Sequence, residues 1–252
     1  QLPTNADGKT FYKFLNNLLT STHTQELGYQ PSRYVYPWVD LQEDKQTIRN
    51  IYSGSDTTPE ALIEADFKVE SAVFENLLAS ATDGFESLSE GGQETIFEAL
   101  ENSQGYNCEH VVPQSWFGKA NPMKGDLHHL FSCTPNCNSF RNNIPYYEFP
   151  DWEEKIMQDC GNREDNRFEP KEGKGIVARA VLYFLVRYPK TIAQYTREDI
   201  QTLLEWHVNE PPGIYEKHRN VAIQELQGNR NPFIDYPKLA AKVDFAQGLS
   251  GR

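Results

Sequence analysis

Apolar residues along this chain recur mostly at three- and four-residue intervals, the spacing of one face of a helix. Over residues 9–21 the positions Phe11, Phe14, Leu15, Leu18 and Leu19 form such a stripe and predict an amphipathic helix packed on a core. Thr58-Pro59-Glu60 opens another helix, with a cap, a proline at the first helical position and an acid in the first turn. Leu62, Ile63, Phe67, Val73, Phe74, Leu77 and Leu78 carry its apolar spacing until Asp83-Gly84 breaks it, and a short helix follows over 93–100. The most apolar helix is predicted over 175–188, through Ile176, Val177, Ala180, Val181, Phe184 and Leu185. Thr196 and Asp199 make a capping-box variant ahead of Ile200, Leu203, Leu204 and His207, and one more helix spans 215–227. Strand signals are few and short. They cover 48–54, ending in a glycine turn, then the stretch from Glu109 to Val112 stopped by Pro113, and 127–131. Residues 29–40 and 145–150 are aromatic and proline-rich and read as ordered loops; 160–173 is polar; 231–237 reads as a closing turn. The balance predicts an α+β chain, mostly helical. It also predicts a single domain over 1–252, because no Gly/Ser/Pro linker divides it.

Charge changes this picture in one place. The formal net charge is −12, awkward for a partner of nucleic acid. Residues 55–104 hold twelve acids against Lys68 alone, so this block carries −11 and the rest of the chain −1. The block reads as a helical insertion with a solvated face, packed outside and away from any phosphate-binding groove. A calcium site at Asp83, Glu86 and Glu90 is the sharper reading, although the spacing is not that of an EF-hand. No apolar run is long enough for a membrane helix. Residues 1–9 contain no signal peptide, so the chain is either cytosolic or an exported chain whose signal has been removed.

Candidate chemistry concentrates in residues 108–143, which gather Glu109-His110, His128-His129, three of the four cysteines, Asn138 and Arg141. Thr134-Pro135 reads as a helix start, so the segment predicts strand, loop, strand, helix. A neutral imidazole takes a proton from water at ordinary pH, which gives His110 the role of general base. A carboxylate and an amide oxygen are hard ligands suited to Mg²⁺, which gives Glu109 and Asn138 the metal, with Mn²⁺ or Ca²⁺ as substitutes. The chemistry implied is metal-assisted hydrolysis of a phosphodiester, with DNA and/or RNA as substrate. The bland alternative is a satisfied strand histidine beside a solvated glutamate. Arg179, Arg187, His207 and His218 read as salt-bridge, structural or surface residues.

Three runs resemble the endonuclease I family of secreted and periplasmic bacterial nucleases, within the His-Me finger (ββα-metal) superfamily. They are Glu109-His110-Val111-Val112-Pro113, Asp126-Leu127-His128-His129-Leu130 and Asn138-Ser139-Phe140-Arg141-Asn142-Asn143. Weaker likeness continues at Ile51-Tyr52-Ser53-Gly54, at 174–180 and at 229–235. The resemblance implies a finger at about 106–145, His110 as base, Glu109 and Asn138 as metal ligands, and Arg141, the recurrent arginine of the motif, as a catalytic residue beside His110. It also implies a nonspecific endonuclease, secreted or periplasmic, with no protein partner. Where some members carry an arginine for the scissile phosphate, the loop here holds only Lys119 and Lys124.

Four cysteines allow two disulfides in three pairings. A cross-strand Cys108–Cys133 bridge with Cys137–Cys160 is one candidate. A zinc-binding interaction module using Cys108, Cys133, Cys137 and a histidine is another, and four buried thiols a third. An inactive relative that binds nucleic acid or a partner is the remaining alternative.

Overall fold

The computed structural model describes residues 6–44, 46–81, 108–150 and 159–250. The first apolar stripe folds as α1, Gly8–Thr22, started by Asp7, whose carboxylate accepts the Thr10 amide at 2.8 Å. Phe11, Tyr12, Leu15 and Leu19 are buried along it. Residues 29–40 depart from the expected loop. Pro31–Tyr34 is a helical turn, α2, and it widens over Val35–Val39, where the Asp40 amide donates to the Val35 carbonyl at 2.8 Å. Pro37 reads as a helix breaker, and the chain passes it with a wider turn.

Two short strands, β1 (Ile48–Arg49) and β2 (Asp56–Thr57), pair antiparallel around Gly54, whose φ of +70° suits glycine. Helix α3, Pro59–Ala81, follows, with the Thr58 hydroxyl accepting the Ala61 amide at 3.3 Å. Its buried stripe is Leu62, Asp66 and Val69. Phe67 and Phe74, which carry part of the predicted apolar spacing, are 66% and 62% exposed. They lie roughly 120° round the helix from that stripe. The helix expected over 93–100 and the candidate calcium residues lie outside the described residues.

The central segment forms β3 (Cys108–His110), β4 (Leu130–Ser132) and α4 (Pro135–Arg141). The strands are antiparallel, with Cys108 opposite Ser132, Glu109 opposite Phe131 and His110 opposite Leu130. Leu127 to His129, expected as strand, is a tight turn instead, because the Asp126 side chain caps it by accepting the His128 amide at 3.0 Å. The polar stretch 160–173, read without structure, is a hairpin of β5 (Gly161–Glu164) and β6 (Arg167–Pro170). Its two-residue Asp165-Asn166 turn was the available signal, with Asp165 at φ +43°.

Helix α5, Lys174–Arg187, is buried on nearly every side. It packs on α1 and on α6, Arg197–Asn209, whose capping box forms as predicted. Helices α7 (Ile214–Gln227) and α8 (Pro232–Asp235) complete the helical part. Arg179 of α5 takes the salt-bridge fate, against Glu216 at 2.6 Å. His207 and His218 each meet a backbone carbonyl, of Pro237 and Trp38.

Side chains on alternate strand positions point to opposite faces. Cys108 and Leu130 therefore enter a cluster with Val35, Tyr36, Leu62 and Val69. Val111, Phe131 and Cys133 enter the larger cluster around α5. The β3–β4 ribbon is a partition gripped from both sides. Leu62 and Val69, from the described part of the acidic block, share the cluster that Cys108 enters. Cys137 and Cys160 are bridged, with Cα atoms 5.3 Å apart, whereas Cys108 and Cys133 are free and buried. The expected Cys108–Cys133 bridge fails because Cys108 faces Ser132; one step along the strand sends Cys133 to the other side.

Candidate active site

Glu109 and His110 are neighbours on β3 and so look to opposite faces. Glu109, 2% exposed, is held at one oxygen. Its Oε1 accepts the Tyr52 hydroxyl at 2.7 Å and Arg141 Nη1 at 2.9 Å. Tyr52 spends its only proton there, so the Tyr146 hydroxyl, 2.7 Å away, donates to Tyr52. Arg141 also donates to the carbonyls of His110 at 3.3 Å and Val111 at 2.8 Å, and lies against the rings of Tyr146 and Trp116. It is 1% exposed and ties α4 to β3. Burial pushes the Glu109 carboxyl up, and Arg141 and Tyr52 oppose that. The other oxygen, Oε2, accepts no hydrogen bond from the described residues.

Asn138, one turn before Arg141 on α4, is half-buried and donates through Nδ2 to the Cys108 carbonyl at 3.2 Å. That bond turns its amide toward β3 and leaves Oδ1 without a hydrogen bond from the described residues. Thr134 and Pro135 set the start of α4 and thus its register against the strand.

His110 is fixed from the loop between the strands. Its Nε2 lies 2.9 Å from the Lys124 carbonyl. A carbonyl only accepts, so Nε2 carries the hydrogen and Nδ1 keeps the lone pair. His129 repeats this with the preceding carbonyl, Nε2 to Met123 at 2.7 Å, and its ring meets His110 edge-on at 5.4 Å. Tyr29 covers the His110 ring at 4.7 Å. Gly125 makes that approach possible, since a Cβ there would collide with the Leu27 carbonyl. Burial, His129 and the Lys124 charge hold the His110 imidazole well below the usual histidine range, so it is neutral near pH 7. Gln114 Nε2 donates to Nδ1 at 3.3 Å.

The second histidine pair divides. His128 points away from the site, its Nε2 3.3 Å from the Asn229 carbonyl. Beside it Asp126 accepts Tyr183 and Tyr188 hydroxyls, each at 2.8 Å, and Gln227 at 2.8 Å. Arg141 thus joins the Glu109 side chain to the His110 carbonyl and Asn138 lies against Cys108, while the His110 ring stands on the other face of β3. Tyr52, Tyr146, Gln114 and the Lys124 carbonyl were missed; only Tyr52 had a signal, in the Ile51-Tyr52-Ser53-Gly54 likeness.

The zinc module is not assembled. Cys137 is spent in a disulfide, Cys108 and Cys133 face opposite clusters, and no three His, Cys, Asp or Glu side chains gather for a metal among the described residues.

Known proteins resemble this arrangement in sequence. Over 158 residues the chain is 35% identical to the extracellular ribonuclease of Bacillus amyloliquefaciens, covering 55% of this chain and 53% of that one. Over 152 residues it is 33% identical to a periplasmic deoxyribonuclease of Aeromonas hydrophila, covering 50% and 62%. An extracellular deoxyribonuclease of the same organism is 31% identical over 160 residues, covering 54% and 67%. The chain thus spans about half to two thirds of the length of these curated relatives. The model of the endonuclease I family matches residues 8–238, nearly the whole chain and every element built above, and the chain belongs to that family.

Proposed function

We propose that this chain is a secreted or periplasmic, metal-dependent, sequence-nonspecific endonuclease that hydrolyses phosphodiester bonds of DNA, RNA or both. On this reading β3, β4 and α4 are a ββα-metal (His-Me) finger inside one nuclease domain over 1–252. The observation that carries it is His110: a neutral imidazole whose Nε2–H is spent on the Lys124 carbonyl, leaving Nδ1 as the basic lone pair. The relatives named as ribonuclease and deoxyribonuclease support the substrate class. Their extracellular and periplasmic names, with the Cys137–Cys160 disulfide, support export. No described helix is long and apolar enough to cross a membrane.

The donor set fits a hard divalent cation with few protein ligands. Oε2 of Glu109 and Oδ1 of Asn138 are oxygens left free of the bonds that fix their side chains, and they would hold Mg²⁺. What such an ion supplies when bound is positive charge at the phosphate and at the leaving oxygen. His110 Nδ1 takes a proton from water. The water oxygen bonds to phosphorus, and the phosphorus bond to one sugar oxygen breaks, its electron pair staying on that oxygen. Arg141 is a positioning residue: it holds the Glu109 carboxylate and the His110 carbonyl at once. None of these groups reads a base, which suits a nonspecific enzyme.

Incubation with supercoiled plasmid and with RNA tests the proposal. Cleavage of at least one with Mg²⁺, and neither with chelator, is expected. Both substrates intact in Mg²⁺ would overturn it.

A further inference from the structure

Gln114 stands where the base does its work, and its hydrogen bonds do not add up. Its Nε2 donates to His110 Nδ1 at 3.3 Å, a long bond. Its Oε1 is buried and has no hydrogen-bond partner among the described residues. The imidazole lone pair thus meets one weak donor, and the oxygen of that same amide meets none among the described residues. Such groups are normally paired.

We infer that Gln114 is the residue that orients the attacking water, an inference resting on the proposal that His110 is the base. A water molecule carries two hydrogens. Placed beside His110 it would give one to Nδ1 and the other to Gln114 Oε1, satisfying both acceptors at once. That fixes the oxygen lone pair of the water in a direction set by two protein atoms instead of one. In the step, the first hydrogen passes as a proton to His110 Nδ1. The freed electron pair forms the new bond to phosphorus, and the bond to the leaving sugar oxygen breaks with its pair on that oxygen. The second hydrogen stays on the water oxygen, held by Gln114.

The local structure suits a side chain that moves over a fixed backbone. The Gln114 carbonyl accepts the amides of Phe117 at 3.3 Å and Lys119 at 3.0 Å, which locks the main chain of this turn. The side chain itself is half-buried and touches the base through the one long bond. Swinging the amide aside costs that bond only and makes room for the water. Gln114 touches no group assigned to the cation, so its effect falls on the nucleophile.

The test compares Gln114→Met, Gln114→Glu and His110→Ala with the wild-type chain. Plasmid nicking in Mg²⁺ gives kcat and KM, duplex affinity is read in chelator, and Tm reports folding. Met keeps the volume and removes both polar atoms; Glu returns an acceptor oxygen at the same reach. Gln114→Met is expected to lower kcat about 10- to 100-fold with KM and duplex affinity within about twofold of wild type. Gln114→Glu should recover most of that loss. Should Gln114→Met fail to fold, Gln114→Ala is read in its place. Wild-type or higher kcat in the Met variant, with His110→Ala inactive, would overturn this inference alone. An equal loss in the Glu variant would do the same, since it points to packing. Normal turnover in His110→Ala would remove the parent proposal instead.

Discussion

A histidine kept neutral in its working range needs causes, and for His110 they are local: burial first, then the His129 ring and the Lys124 charge. Its Nε2 bond to the Lys124 carbonyl settles the tautomer, so Nε2 is committed and Nδ1 keeps the lone pair, met only by the long Gln114 bond. Replacing it by alanine removes the lone pair, the bond to the Lys124 carbonyl and the ring contacts with Tyr29 and His129. His110→Ala is therefore expected to lower hydrolysis about 10²–10⁴-fold while duplex affinity stays near wild type and Tm falls without loss of the fold. Undiminished turnover would show that the base is elsewhere. Glu109 and Asn138 differ in kind. Each has one atom spent on fixing the side chain and one oxygen left over. Glu109→Ala and Asn138→Ala should each raise the Mg²⁺ concentration needed for half-maximal rate, because an ion held by few protein groups cannot spare one. Unchanged Mg²⁺ titrations in both variants would place the metal elsewhere. Glu109→Ala also leaves Arg141 buried without its partner, so its Tm should fall further than that of Asn138→Ala.

At the scale of elements, the turn Leu127–His129 feeds β4 and is anchored by Asp126, which α5 and α7 hold through Tyr183, Tyr188 and Gln227. This network joins the core helix to the strand opposite His110. Burial alone would raise the Asp126 carboxyl. The neighbouring His128, His23 and His129 and the Gln227 bond outweigh burial and take it down to about 2. A carboxyl lowered on folding contributes stability above its unfolded value of 3.8 and loses it as the pH falls through about 2. Asp126→Asn is thus expected to be less stable than wild type by about 2 kcal/mol near pH 6. The gap should close between pH 3.8 and 2, where wild type becomes protonated too. Urea unfolding at several pH values measures this, and a gap that stays constant down to pH 2 would contradict it.

Across the whole molecule the acidic block matters less as charge than as packing. Leu62 and Val69 of α3 share a cluster with Cys108, and burial, with Glu70 adding, pushes Asp66 up to about 7. Helix α3 thus supports the face of β3 that carries Cys108. A second long-range tie is the Cys137–Cys160 disulfide, which joins α4 to the β5–β6 hairpin across 23 residues. Loop closure of that length should stabilise the fold by about 3 kcal/mol. Cys160→Ser is expected to lose roughly that amount. Thiol labelling of denatured, unreduced protein should find Cys108 and Cys133 alone. Labelling of all four cysteines would refute the bridge.

The helices α1, α3, α5, α6 and α7, the caps at Thr58 and Thr196 and the α+β class were legible in the sequence, because a 3.6-residue period and capping chemistry are local properties. So was the adjacency of Glu109 and His110, and Asn138 lies beside β3 as the strand, loop, strand, helix order suggests. What only the tertiary structure decided depends on contacts far apart in the chain. The hairpin β5–β6 has polar strands, so nothing local marks Asn162 and Glu169 as buried. The turn at Leu127–His129 reads as apolar strand until Asp126 is seen to cap it. Phe67 and Phe74 look like core residues until Leu62, Asp66 and Val69 define the buried side of α3. Which His110 nitrogen keeps the lone pair depends on the Lys124 carbonyl, fourteen residues away, and the grip on Glu109 depends on Tyr52, fifty-seven residues away. Composition names groups able to do chemistry; which atom of each is left free to do it is set by the partners that folding brings to the others.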